Sequence, residues 1–219
     1  CPGVSQRGEP PIEQGPEIPQ TETTPALVMR FFLFILLLNF WLPMGAEAAE
    51  IEFKREWALY DIKGRTYADL RRQLNEVGPL NPETRKRFDA RTDWNLNWDY
   101  QYSQSDGKYR LTEHTVKVIA TIHFPKWVDI EQGHPLARRL WIVYLNNLKR
   151  HEEGHVELAK RAGQTLNTRL SQLGAFNSKI EIEEAIKKKA KEVVTIHKAL
   201  HQDYDRRTNH GKSQGARFP

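Results

Sequence analysis

Residues 138–173 read RRLWIVYLNNLKRHEEGHVELAKRAGQTLNTRLSQL, and the period of this stretch settles what the rest of the chain must pack against. Leu140, Tyr144, Leu148, Ala159, Ala162, Leu166, Leu170 and Leu173 recur at the spacing of one helical face, which predicts a single long amphipathic helix. His151 and His155 fall on the same stripe. They belong to the string His151-Glu152-Glu153-Gly154-His155, an H-E-x-x-H pattern whose histidines share a face and can both reach one Zn²⁺ at about 2.0 Å. Glu152 projects beside them, placed to take a proton from water. An accidental surface pair would face solvent. One buried histidine can be satisfied without a metal, but two on a buried face with a carboxylate between them are hard to pair otherwise. Glycine inside a helix costs about 1 kcal/mol relative to Ala, so Gly154 predicts that another segment passes close at this turn.

Upstream of this helix the pattern changes. Trp57–Ile62 reads as a short strand, and Thr66, Leu70, Leu74 and Val77 predict a first helix over 66–77 that Gly78-Pro79 stops. Residues 81–90 are polar and charged, as in a loop. From Trp94 the period is two: Trp94, Leu96, Trp98, Tyr100 and Tyr102 alternate with polar residues. After the turn signal Ser105-Asp106-Gly107, Val116, Val118, Ala120, Ile122 and Phe124 do the same, so the two runs form an antiparallel hairpin closed by Pro125. The aromatic row reads as a sheet face packed on helices rather than a platform for stacking bases, because the basic partners of such a platform are missing. Downstream, 174–178 breaks the long helix. A second runs from Ile180 to Tyr204 or Asp205, with Ile182, Ile186, Ala190, Val193, His197, Leu200, His201 and Tyr204 along one side. The fold class is α+β: a small antiparallel sheet followed by two long packed helices.

At the other end, Met29-Arg30, the apolar run Phe31–Leu42, Pro43 and Ala46-Glu47-Ala48 form the n-region, h-region and A-x-A site of a secretory signal peptide over 29–48. The run is short for a membrane span, so no stable span is expected once the signal is cleaved. Residues 1–28, rich in Pro, Glu, Gln and Thr, read as a disordered leader or an upstream translation artefact. Residues 49–219 then make a single domain, secreted or periplasmic. Its sequence contains no cysteine, since Cys1 is the sole one in the chain, and this excludes disulfides, cysteine catalysis and Cys-ligated zinc. Removing 1–48 takes away two basic and five acidic side chains and leaves a net charge of +8. The basic runs Arg85-Lys86-Arg87, Lys187-Lys188-Lys189 and Arg206-Arg207 lack interleaved aromatics and read as solvated faces, so nucleic acid is not the expected partner.

Two histidines do not hold a catalytic zinc; a third protein ligand is required. The segment Tyr204 to Gly211 is the obvious source, with His210 and Asp205 both open as the third ligand, the second of them alternatively orienting a ligand imidazole. His197 and His201 form another pair four apart and compete for the role, or lie in the core behind the ligands. His114, His123 and His134 have no partner spacing. Tyr204 is a candidate donor to a developing oxyanion, with a core position as its alternative.

Taken together, the signal peptide, the Tyr60–Gly64 strand, Gly78-Pro79, Thr92-Asp93-Trp94, Phe124-Pro125 with Trp127, the H-E-x-x-H string and the tail from Tyr204-Asp205 through Thr208, His210 and Gly211 resemble a bacterial family. That family is catalogued as a domain of unknown function and described as predicted secreted zinc-dependent proteases. The resemblance covers nearly all of 51–219. It implies a zincin-like peptidase and points to Asp205 and His210 as site residues. Many members carry cysteines in the domain, which this chain lacks, so any family disulfide has no counterpart here. The expectation is therefore a zinc metallopeptidase acting on peptide or protein substrates, with Glu152 as general base. A cell-wall peptide amidase on the same metal, or a non-catalytic envelope module folded around zinc, are its rivals.

Overall fold

The computed structural model describes residues 51–81 and 85–219. The expected leader and signal peptide, and the first two residues of the expected mature domain, lie outside them. Among the described residues no helix is long and apolar enough to cross a membrane. The elements run β1 (Ile51–Ile62), α1 (Tyr67–Val77), β2 (Arg91–Ser105), β3 (Lys108–Trp127), α2 (Pro135–Ser171) and α3 (Lys179–Thr208), so the class is α+β, a three-stranded sheet followed by two long helices.

Local chemistry accounts for each boundary. Thr66 caps α1 by accepting from the Asp69 backbone N–H, while the Asp69 carboxylate accepts from the Thr66 backbone N–H, which satisfies two orphan donors reciprocally. Asp106 and Gly107, both with positive φ, make the two-residue turn that joins β2 to β3. Pro135 occupies the first turn of α2 behind the cap His134, and Ser178 caps α3.

The sheet differs from the expected one first in strand direction. Its order is β1-β3-β2, and while β2 and β3 are antiparallel, β1 lies parallel to β3, so the sheet is mixed. Strand direction depends on the connection through α1 and not on residue pattern, which is why alternation alone did not reveal it. Pro125 does not end β3 either. β2 pairs no further than His123, so at Pro125 the strand is paired on one side only, where a missing N–H is tolerated.

One face of this sheet carries the core. Val116, Val118, Ala120 and Ile122 are fully buried beneath Ala159, Ala162 and Leu166 of α2, and Ile182, Ile186 and Val193 of α3 close the far end. Small Ala120 stands opposite bulky Trp94, while Leu96 and Trp98 meet Val118 and Val116. The aromatic row of β2 is half-buried against the helices, as its alternation predicts. Leu200, placed on the inward side of α3 by periodicity, is instead 40% exposed. The segment before β2 is anchored at Asp89, whose carboxylate accepts from Arg71 and from the Tyr144 hydroxyl, and whose carbonyl accepts from Tyr60. That anchor fixes where β2 starts, directly across from the middle of α2.

Candidate metal centre

The stripe on α2 delivers His151 and His155 to the interior, with Glu152 between them; the three are 3%, 8% and 3% exposed. α3 runs back alongside and presents His197, His201 and Asp205, four residues apart and so on one face. Asp205 Oδ1 lies 3.2 Å from His151 Nε2 and 3.1 Å from His155 Nε2. Among the described residues, His151, His155 and Asp205 form a group whose donor atoms all fall within 4.8 Å of one another, close enough to hold a metal ion.

Outer contacts fix both imidazoles. His151 Nδ1 is 3.0 Å from Gln214 Oε1, and the Gln214 amide nitrogen donates to the Tyr204 hydroxyl. That hydroxyl donates to the backbone carbonyl of His151, and the Tyr204 ring stacks on the His151 ring at 5.1 Å and 12°. His155 Nδ1 lies 2.9 Å from His201 Nδ1, and the His201 ring in turn stacks on Trp94 at 5.3 Å and 11°. The close approach foreseen at Gly154 is made by Tyr204: a Cβ at residue 154 would sit 2.2 Å from its hydroxyl oxygen and 2.4 Å from Cζ.

This donor set suits a cation. Gln214 Oε1 can only accept, so His151 Nδ1 carries a proton, and Nε2 is the nitrogen turned toward the Asp205 carboxylate. A neutral imidazole would leave two acceptors facing each other across 3.2 Å, so the pair needs either a second proton on the ring or a metal between them. The same logic applies at His155. With its Nε2 free for a metal, Nδ1–H donates to His201 Nδ1, and His201 holds its own proton on Nε2, a buried atom with no hydrogen-bond partner among the described residues.

Charge in the site follows from these contacts. Burial pushes the Glu152 carboxyl above the ordinary carboxylate range, against the pull of His155, the Thr92 hydrogen bond and His151. Burial also opposes ionisation of Asp205, but its hydrogen bonds to His151 and His155 win and hold it well below the usual range. At His151 burial disfavours the cation, yet the hydrogen bond to Asp205, the Glu152 charge and Gln214 outweigh it and raise the imidazole. His201 drops to about 4 through burial and the neighbouring His155 and His197, and so stays a neutral acceptor.

The group opens onto a cleft of about 710 Å³ lined by the 87–94 segment, α2, α3 and the tail near Lys212. Thr92, at the head of β2, donates its hydroxyl to Glu152 Oε2 at 2.7 Å. Alternation places Thr92 on the same inward row as Trp94 and Leu96, and a polar residue heading an apolar row was the available signal for this partner. Gln214 carried no sequence signal beyond its place in the tail.

Asp205 and not His210 joins the two α2 histidines. α3 extends through Thr208, which keeps Asp205 on the face of His201; Asn209 and His210 then both adopt φ of 50° and turn the chain away. His210 is left at the rim, half exposed and tilted against Phe88, with Nδ1 3.5 Å from Asp205 Oδ1. Gly211, at φ 77°, lies directly on the His151 ring. Tyr204 points its hydroxyl at His151 and Gln214 and is not among the residues lining the cleft. His197 is buried in α3. His114, His123 and His134 take other posts: beside the Asn167 carbonyl, on Asp93, and at the α2 cap.

No curated protein and no solved structure matches the chain. A family model does, over residues 57–211, a span that includes Thr92, the H-E-x-x-H string, Tyr204, Asp205 and His210. The chain belongs to DUF922, a family of bacterial proteins of unknown function.

Proposed function

We propose that this protein is an exported zinc metallopeptidase in which His151, His155 and Asp205 hold the metal and Glu152 is the general base. One observation carries the reading: two imidazole nitrogens and a carboxylate converge within ligand range beside a buried glutamate, at the floor of a cleft. Zn²⁺ held there would supply a Lewis acid that polarises a carbonyl and makes water acidic near neutral pH. Glu152 takes the proton of the attacking water at its carboxylate and returns it to the leaving amine. Burial favours this second duty, because a carboxyl with raised proton affinity keeps the proton until the amine needs it. Thr92 fixes Oε2, leaving Oε1 to do the transfer. Tyr204 and Gln214 hold the His151 ring and its protonation state, and His201 does so for His155.

A second reading, a metal centre that serves folding alone, is favoured by His210, whose Nδ1 stands close enough to Asp205 to close a fourth position. Turnover separates the two. The zinc-loaded protein should cleave an unfolded protein substrate, and Glu152→Gln should lower that rate by roughly two to four orders of magnitude with zinc retained. Equal rates in the two forms, or no cleavage by either, would favour the folding role.

A further inference from the structure

We propose that the cleft above His151, His155 and Asp205 selects acidic peptide segments, through cations that three separate parts of the chain place around it: Arg87, Lys198 and Lys212. The inference rests on the peptidase reading and names its substrate class.

The charges lining the cleft do not cancel. Asp89 is taken by Arg71, and Asp93 by Arg91 and His123. Glu152 and Asp205 are the remaining carboxylates of the lining, both turned inward on the histidine group, where a divalent ion would offset them. Arg87, Lys198 and Lys212 are exposed, line the same cleft, and have no carboxylate partner among the described residues. Their placement is fixed by rigid parts. Lys198 lies on α3, one turn before His201 and Gln202 and two turns before Asp205, so it shares their face. Lys212 follows Gly211, which is seated on the His151 ring. Arg87 is tied by its guanidinium to the Gly78 carbonyl at 2.6 Å on the opposite wall.

A cleft lined by one sign of uncompensated charge focuses its field and concentrates ligands of the other sign. Asn75, Asn81 and Gln202, which also line it, supply neutral amides and no competing anion. A peptide carrying Glu or Asp beside the bond at the metal centre can pair with these cations; a basic peptide meets like charge at all three.

Equilibrium binding of a short fluorescein-labelled Glu-rich peptide to the zinc-loaded Glu152→Gln protein tests this, against the same peptide with Gln or with Lys in place of Glu. Exposed ion pairs are individually weak, so three acting together should favour the Glu peptide over the Gln peptide on the order of tenfold, and the preference should fade in high salt. Lys198→Glu/Lys212→Glu, both changes at exposed positions, should abolish or invert it with zinc content and helicity unchanged. Equal binding of the Glu and Gln peptides, tighter binding of the Lys peptide, no binding of any peptide, or a preference untouched in the double variant would overturn the proposal. Tighter binding of a DNA oligonucleotide than of the Glu peptide would overturn it too. A clear Glu preference without cleavage by the protein with Glu152 intact would sink the peptidase reading while sustaining the acidic ligand, so the two failures are told apart.

Discussion

Gly154→Ala should destabilise this protein, although alanine in place of a mid-helix glycine ordinarily stabilises by about 1 kcal/mol. The sign is decided by Tyr204. The new methyl would fall 2.2 Å from the hydroxyl oxygen, 2.4 Å from Cζ and 2.9 Å from Cε1. A long flexible side chain could swing away from such a contact, but this ring is stacked on His151 and its hydroxyl is held by the His151 carbonyl and Gln214. Squeezing against the fixed ring costs up to about 3 kcal/mol, and swinging the ring away instead gives up two hydrogen bonds at about 1–1.5 kcal/mol each, so about 2–3 kcal/mol is lost by either route and about 1–2 kcal/mol remains after the propensity gain. For a domain of this size that lowers Tm by roughly 2–8 °C. The assay is thermal unfolding of the metal-free protein, which keeps metal linkage out of the comparison. In a Tyr204→Ala background the same substitution should turn stabilising. A higher Tm for Gly154→Ala in the otherwise wild-type chain would refute the claim that Tyr204 is braced against this turn.

Thr92→Val keeps side-chain shape but removes the donor to Glu152; the acid limb of the pH–rate profile should move to higher pH, and an unmoved limb would remove Thr92 from the positioning of the base. His201→Leu should weaken zinc roughly 10- to 100-fold, and His201→Asn, which keeps an acceptor near Nδ1, should recover most of it; equal loss in both would mean that His201 is only packing. Acid should release zinc, with competition from protons beginning above the ordinary imidazole value of 6.5, because His151 is raised and the proton it gains must be displaced by the metal. An apparent zinc affinity that stays constant down to pH 6.5 would contradict that direction.

Much of this was legible from residue pattern because period and spacing are local. The stripe on α2 identified the buried face and placed His151 and His155 on it, and Gly154 announced a close neighbour before Tyr204 was known to be that neighbour. The parallel pairing of β1 was not legible, since Ile51 and Val116 lie far apart in sequence and either strand direction satisfies the same alternation. The roles of Asp205 and His210 turned on where α3 ends. One further helical turn keeps Asp205 on the histidine face, and two left-handed residues carry His210 outward, a conformation that nothing at Asn209-His210 required in advance. Tyr204 offered a hydroxyl as a candidate donor; in the fold that hydroxyl bonds the His151 carbonyl and Gln214 while the ring stacks on His151, two contacts that its helical spacing did not specify. Thr92 was missed as a partner of Glu152 because the two meet across 60 residues.

The metal content of the purified protein, by mass spectrometry with the Asp205→Ala and His210→Ala variants beside it, tests the central claim most directly. One equivalent of zinc per chain is expected in the wild type and in His210→Ala, with most of it lost from Asp205→Ala. Zinc retained by Asp205→Ala and lost from His210→Ala would contradict the ligand set, and a wild-type protein that binds no zinc would contradict the account as a whole.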